Sequence, residues 1–129
     1  MRRTDQRRAA VVALYQREVT GRSFAELVPT SATPFTRALV EGTDGARGEL
    51  DALIARYSEG WTLDRIAPLE RSILRVALFE LLHRDDIPDE VAIDEAVEAA
   101  KELCGAEAPS FVNGILGAVG RERAQVTHE

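Results

Sequence analysis

The sequence predicts an all-α domain, and three observations carry that prediction. Ala, Leu, Glu and Arg are common in the chain, and all four are good helix formers, whereas aromatic residues make up only 5%. Apolar residues recur at intervals of three and four, which is the period of a helix with one buried face. No segment shows the strict alternation of a half-buried strand. At 129 residues the chain is long enough for one packed core, so we expect a single domain over residues 1–129.

The N-terminal third predicts one helix and a loop. The helix starts at Thr4 or Asp5, because either side chain can cap free backbone N–H groups. It ends at Val19, before Gly21, which suits the left-handed residue that follows many helices. The following loop, residues 20–33, contains several Ser, Thr, Gly and Pro residues and has room for one helical turn.

The next helical period runs from residue 34 to residue 57. Thr33-Pro34 is a start signal, since threonine caps and proline suits the first helical position. Three glycines weaken the middle of the segment by about 1 kcal/mol each relative to alanine. We predict one long helix that bends there, with two separate helices as the alternative. The three glycines are Gly42, Gly45 and Gly48.

The centre of the chain predicts a buried helix. Trp61 is interpreted as a plug in the core, followed by a short helical turn that ends before Pro68. Residues 69–83 are apolar nearly all round, which is typical of a helix enclosed by others. The side chains expected in the core are Ile73, Leu74, Ala77, Leu78 and Leu81.

The C-terminal third predicts two more helices. The first runs from about residue 89 to Leu103, with acidic residues facing outward, and Gly105 ends it. The second starts at Pro109-Ser110, and residues 124–129 form a frayed tail. Six or seven helices result in total. A three-residue glycine spacing in the last helix predicts close approach of another backbone, at Gly114, Gly117 and Gly120.

The charge is unevenly distributed. The net charge is −6, which by itself disfavours nucleic acid as a partner. Residues 85–107, however, hold nine acids against the single base Lys101, and residues 1–8 hold four arginines against one acid. Because screening limits charges to a range of about 8 Å, a local basic patch can act despite a distant acidic one. The asymmetry predicts two faces with different partners. The basic arm consists of Arg2, Arg3, Arg7 and Arg8.

Several classes of chemistry find no support in the sequence. A single cysteine, Cys104, cannot form an internal disulfide, and we interpret it as a small buried residue rather than a reactive thiol. The chain has neither a phosphate-binding glycine loop nor a paired nucleophile and histidine. No apolar run approaches the 18 residues of a membrane span, and the N-terminal residues lack the apolar region of a signal peptide. We therefore expect a cytoplasmic protein that is not an enzyme and needs no cofactor or metal.

Three segments in register resemble the NusB family of transcription antitermination factors. The first is the arginine-rich start leading to Ala13-Leu14-Tyr15-Gln16. The second is the helix Leu69-Glu70-Arg71-Ser72-Ile73-Leu74-Arg75-Val76-Ala77-Leu78-Phe79-Glu80-Leu81. The third runs from Ile87-Pro88 to Phe111-Val112-Asn113-Gly114-Ile115-Leu116. The segments cover nearly the whole chain, whereas residues 20–50 match in length and helical pattern alone.

The resemblance implies two small helical bundles packed across one another. It also implies binding to the boxA element of ribosomal RNA leader transcripts, together with a small-subunit ribosomal protein, NusE. The pair then joins other Nus factors on RNA polymerase. Single-stranded RNA requires cations for phosphates and aromatic rings for stacking, and the arginine arm with Tyr15 offers both. The family pattern implies RNA contacts at Arg2, Arg3, Arg7, Arg8, Tyr15, Arg75 and Phe111, and a protein contact at Glu70.

Each assignment has a structural alternative. Tyr15 and Phe111 can equally be core residues, and Arg75 can pair with an acid such as Glu80 or Asp94. Asp94 stands where the family often has Asn, and the loop 105–110 has no basic residue, so fewer RNA contacts are expected there. Two other functions stay open: a detached NusB-like domain of a ribosomal RNA cytosine methyltransferase, and a helical scaffold for protein interactions. A homodimer is also left open.

Overall fold

The computed structural model describes the backbone of residues 1–128 and the side chains of residues 1–126. Every regular element in that part of the chain is helical, as the composition predicts. None of the described helices combines the length and hydropathy that a membrane crossing requires. The elements are α1 (Arg3–Thr20), α2 (Phe24–Leu27), α3 (Pro34–Gly45), α4 (Arg47–Tyr57), a 3-10 turn (Leu63–Arg65), α5 (Pro68–His83), α6 (Asp89–Leu103) and α7 (Ala108–His128).

The predicted start and stop signals act at most helix ends. Gly21 follows α1 with φ 73° and donates its N–H to the Arg17 carbonyl at 2.9 Å. Thr33 caps α3, where its hydroxyl accepts the Thr36 N–H at 3.2 Å. The start of α1 differs from the prediction, because the residue that precedes the helix is Arg2, which makes no side-chain cap.

The prediction of one long helix over residues 34–57 is wrong, and its two-helix alternative is correct. The chain breaks at Ala46, whose φ of −100° and ψ of 11° lie outside the helical range. The break lets α3 pack on α1 and α5 while α4 turns towards α5 and α7. Gly42 is needed because the Phe79 ring of α5 occupies the space that a Cβ would take.

Helix α5 forms the centre of the domain. It contacts α1 and α3, which pack on each other, and also α4, α6 and α7, of which α7 packs on both of the others. Two groups of helices therefore share one buried helix. The predicted core of this helix is confirmed, since each of its five apolar side chains is at most 3% exposed. These are Ile73, Leu74, Ala77, Leu78 and Leu81.

Helix α7 departs from the prediction at its glycines. A Cβ on Gly114 would meet no atom within 4 Å, and a Cβ on Gly117 or Gly120 would meet side chains and no backbone. The predicted close approach of a second backbone is therefore wrong. The helix also continues through His128, whereas the sequence predicted fraying from residue 124; Glu129 lies outside the described residues.

Candidate nucleic-acid interface

The four arginines of the N-terminal arm divide into an outer and an inner pair. Arg2 and Arg3 lie on the surface, and the nearest acid to Arg2 is the exposed Asp5, at 3.6 Å. The guanidinium of Arg3 lies 4.0 Å from the centre of the Phe35 ring. Arg3 forms no ion pair within residues 1–126, so its guanidinium can still receive an anion.

The inner pair joins α1 to the rest of the fold. Arg7 is buried, and its Nε donates to Oε1 of Glu80 on α5 at 2.7 Å. Burial raises the pKa of the Glu80 carboxyl, although the Arg7 charge opposes that shift. Arg8 is mostly covered, and its Nε donates to Glu102 on α6 at 3.2 Å. Both arginines of the inner pair therefore have carboxylate partners within the chain.

The Phe35 ring of α3 lies close to three guanidinium groups near the start of α1. Besides Arg3, the guanidinium groups of Arg7 and Arg84 lie 5.2 and 5.3 Å from its ring centre. Hydrogen bonds from Arg84 lower the pKa of the exposed Asp86 carboxyl to about 2, and the Arg3 charge adds a smaller effect. Arg84 and Arg7 are therefore paired with acids, and Arg3 is the arginine at this ring that forms no ion pair within residues 1–126.

Arg75 lies inside a network of carboxylates. It donates from Nη1 to Glu18 and from Nε to Asp51, both at 2.7 Å. Burial raises the pKa of Glu18, but the hydrogen bonds and charges of Arg75 and then Arg71 outweigh it and leave the pKa lowered. The sequence analysis expects an acidic partner for Arg75, such as Glu80 or Asp94. Arg75 does pair with acids, but they are Glu18 and Asp51.

Tyr15 lies half-buried on α1, outside the apolar side chains that pack on the core. Its hydroxyl has no hydrogen-bond partner within residues 1–126. Phe111 is also half-buried, at the first turns of α7, and it does pack on the core. Both residues are therefore partly accessible to solvent.

Trp61 corrects a prediction. It is not a core plug, since 52% of its surface is exposed. The left-handed residues Glu59 and Gly60, at φ 50° and 90°, turn the chain so that the tryptophan follows on the outside. Large apolar residues are usually buried, and the sequence offered only Glu59-Gly60 as a signal of the turn. Sequence analysis therefore missed the largest exposed ring of the molecule.

Two grooves flank Trp61 and Phe111. One, of about 430 Å³, continues to Arg65 and Glu70, and the other, of about 510 Å³, continues to Arg121. Burial raises the pKa of the half-buried Glu70 carboxyl. The sequence singled out Phe111 and Glu70 here, but neither of the two arginines.

Cys104 is half-buried rather than fully enclosed. Burial, with a smaller contribution from the Glu70 charge, raises the pKa of its thiol. A raised pKa lowers the fraction of reactive thiolate, which fits the interpretation of an unreactive cysteine. Among the described residues no group of His, Cys, Asp and Glu is placed to hold a metal ion.

The fold and surface define a class: an all-helical domain built around one shared buried helix, with arginines and aromatic rings on its exterior. The family model for NusB matches residues 4–121, so the chain belongs to the NusB family. A transcription antitermination protein NusB from Frankia casuarinae is 59% identical over 81 residues. That match covers 63% of this chain and 60% of the relative's length.

Solved structures share the fold. NusB from T. maritima superposes with a TM-score of 0.86 at 34% identity, over 95% of this chain and 92% of that one. A structure of antitermination factors NusB and NusE in complex with double-stranded RNA gives a TM-score of 0.81 at 24% identity. That match covers 93% of this chain and 96% of the other, and at this identity it shows the fold alone.

Proposed function

We propose that this chain is a transcription antitermination factor that binds boxA-type RNA of ribosomal RNA leader transcripts together with the ribosomal protein NusE. It acts as a single domain over residues 1–129, in the cytoplasm, as a binding protein and not as an enzyme. Membership of the NusB family supports the proposal, as does the high identity to a protein named for antitermination. A relative with the same fold has been solved with NusE and RNA.

The observation that carries the proposal is the position of Arg3. Its guanidinium lies over Phe35 at the surface and has no carboxylate partner within residues 1–126, whereas Arg84 near the same ring is paired with Asp86. Such an arginine attracts phosphate, and the half-exposed Tyr15 lies further along the same helix for a base to stack on. We therefore place the RNA backbone along the N-terminal start of α1.

Within this proposal the predicted RNA residues have two roles. Arg2, Arg3, Tyr15 and Phe111 contact RNA directly. Arg7, Arg8 and Arg75 join α1, α4, α5 and α6 to one another through their carboxylate partners. Their guanidinium groups then contribute to RNA binding by positioning the surface residues.

The protein partner is assigned to the acidic side. The exposed acids of α6, such as Asp94 and Glu98, repel RNA and suit a basic ribosomal protein, and Glu70 is assigned to the same partner. A basic partner also offsets the net charge of −6, which by itself opposes RNA binding. The two-partner complex should therefore hold RNA more tightly than the chain alone.

The salt dependence of RNA binding tests the arm. Each phosphate contact on single-stranded RNA contributes about −0.7 to the slope of log K against log[salt]. The double variant Arg2→Ala, Arg3→Ala should therefore make the slope shallower by about 1.4 in a fluorescence anisotropy titration with a labelled boxA-like strand. Arg22→Ala is the matched control, because Arg22 is exposed and paired with Glu26 beyond the end of α1.

The same titration is repeated with a duplex RNA and with NusE present. The proposal expects tighter binding of the single strand, and tighter still when NusE is added. An unchanged slope in the double arginine variant, with no effect of NusE, contradicts the proposal. That outcome would favour a helical scaffold for protein interactions.

A further inference from the structure

Trp61 is the only tryptophan of the chain, and it is held on the surface by a constrained loop. Glu59 adopts a left-handed conformation with φ 50°, which is uncommon for a residue with a long side chain. Strain of this kind persists where the surrounding structure fixes it, and it occurs often at binding sites. The exposure of the ring is therefore fixed by the loop conformation and is typical of a binding residue.

The loop fixes the backbone of Trp61. The buried Ser58 donates its hydroxyl to the Trp61 carbonyl oxygen at 2.6 Å, and the Trp61 N–H donates to the Ser58 carbonyl at 3.2 Å. An aromatic side chain has two rotatable bonds, so a fixed backbone leaves the ring little freedom to lose on binding. The ring is thus prepared for contact with a flat ligand.

The space beside the ring is open and partly aromatic. Trp61 and Phe111 line both of the grooves described above. Gly114, one turn after Phe111, lines the larger groove, where a Cβ would meet no atom within 4 Å. The glycines of α7 therefore do not admit a second backbone, but Gly114 leaves room beside two rings.

Two arginines at these grooves have no carboxylate partner within residues 1–126, unlike most other arginines of the chain. Arg65 and Arg121 each line one groove, and neither forms an ion pair or a side-chain hydrogen bond within the described part of the chain. Arg56, also at the larger groove, pairs with Glu122 at 3.1 Å. Acids at the rims, Glu59, Glu70 and Glu107, restrict where a phosphate can approach.

We propose that Trp61 and Phe111 hold an unstacked nucleobase of single-stranded RNA, while Arg65 and Arg121 contact the flanking phosphates. This inference rests on the proposed function and adds a second RNA contact region away from the arginine arm. Aromatic stacking with nearby unpaired arginines is the chemistry that single strands require. A protein with an apolar anchor and carboxylates is the alternative ligand for this site, and the experiment below separates the two.

Because Trp61 is the only tryptophan, its fluorescence reports on this site directly. Titration of the full chain with a short single-stranded boxA-like RNA should quench the emission to saturation. Strands with one abasic position each then locate the stacked base: one of them should bind with little quenching, while the others behave like the intact strand. The same strands, fluorescein-labelled, give affinities by anisotropy.

Substitutions measure the contribution of the site. Trp61→Ala should weaken RNA binding about 5- to 150-fold, the range for loss of one base–aromatic stack. Trp61→Phe should restore most of the affinity, since it keeps a ring. The aliphatic control Val91→Ala, exposed on α6 outside both grooves, should change affinity less than twofold. The double variant Arg65→Ala, Arg121→Ala should make the salt slope shallower by about 1.4, whereas Arg22→Ala should not.

The outcomes separate this inference from the function on which it rests. If RNA binds through the arm while Trp61 emission and the Trp61→Ala affinity stay unchanged, the inference is wrong and the proposed function stands. If Trp61→Ala weakens only the binding of NusE, the groove is a protein contact and the inference is equally wrong. If wild-type chain binds no RNA, both fail.

Discussion

Arginine serves two opposite purposes in two regions of this molecule. Arg7 and Arg75 are each about 5% exposed and are paired with carboxylates of other helices. Arg65 and Arg121, beside Trp61, lie on the surface and make no ion pair in residues 1–126. The side chain is the same, but the surroundings decide whether its charge stabilises the fold or is available to a ligand. The number of arginines therefore overstates the RNA-binding surface. The arginines available to RNA are those without a carboxylate partner in the fold.

The largest expected effect is the loss of unfolding free energy when a buried arginine is removed. Arg7→Ala leaves the Glu80 carboxylate buried without its partner, which should cost about 3–5 kcal/mol of unfolding free energy. Arg121→Ala removes an exposed arginine and should change stability by less than about 0.5 kcal/mol. Urea denaturation followed by circular dichroism measures both. A loss below about 1 kcal/mol in Arg7→Ala would show that the two regions do not differ in this way.

Two glycines sharpen the contrast between interior and surface. Gly42→Ala places a methyl group against the Phe79 ring and should destabilise by about 1–3 kcal/mol through overpacking. Gly48→Ala meets no atom within 4 Å and should stabilise by about 0.4–1 kcal/mol, because alanine restricts the unfolded chain. Thermal unfolding of the two variants should thus shift in opposite directions. Equal shifts would contradict the observed contact between α3 and α5.

The smallest effects concern pH, where Glu18 and Glu70 should behave oppositely. The pKa of Glu18 is lowered below 4.5 in the folded chain, so its contribution to stability is complete above that pH and is lost as the pH falls through the folded value. The pKa of Glu70 is raised above 4.5 by burial, so its contribution is complete below that pH and is lost as the pH rises through the folded value.

Denaturation at several pH values separates the two carboxylates. Glu18→Gln should lose less stability than the wild type on acidification, even though it is less stable at neutral pH. Glu70→Gln should gain stability relative to the wild type as the pH rises from about 4 to about 7. Parallel profiles for the wild type and both variants would show that neither carboxylate is shifted.

The parts of the fold that depend on local signals could be predicted. The Thr33-Pro34 start, the Gly21 stop and the apolar stretch over 69–83 each encode their structure within a few residues, and the structure has all three. The break at Ala46 could not be predicted with the same certainty. It depends on which neighbours α3 and α4 pack against, and a helical period that continues across the break does not contain that information.

The site was predictable in its residue types and less so in its positions. The arginine arm is evident in the sequence, but the burial of Arg7 depends on Glu80, 73 residues away. Trp61 was placed in the core because tryptophan usually buries most of its surface, and only the turn geometry of Glu59 and Gly60 places it outside. Such long-range and conformational causes leave no periodic pattern in a single sequence.

The ties of α1 to the later helices also determine when it can fold. The longest of its polar anchors are Thr4 to Glu95, Arg7 to Glu80 and Arg8 to Glu102, which span 91, 73 and 94 residues. A chain emerging from the ribosome presents its N-terminal residues first, and contacts of such long range form late. The nascent protein therefore carries an undocked N-terminal segment, in which Arg7 and Arg8 lack their carboxylate partners, until residues 80–102 have been synthesised.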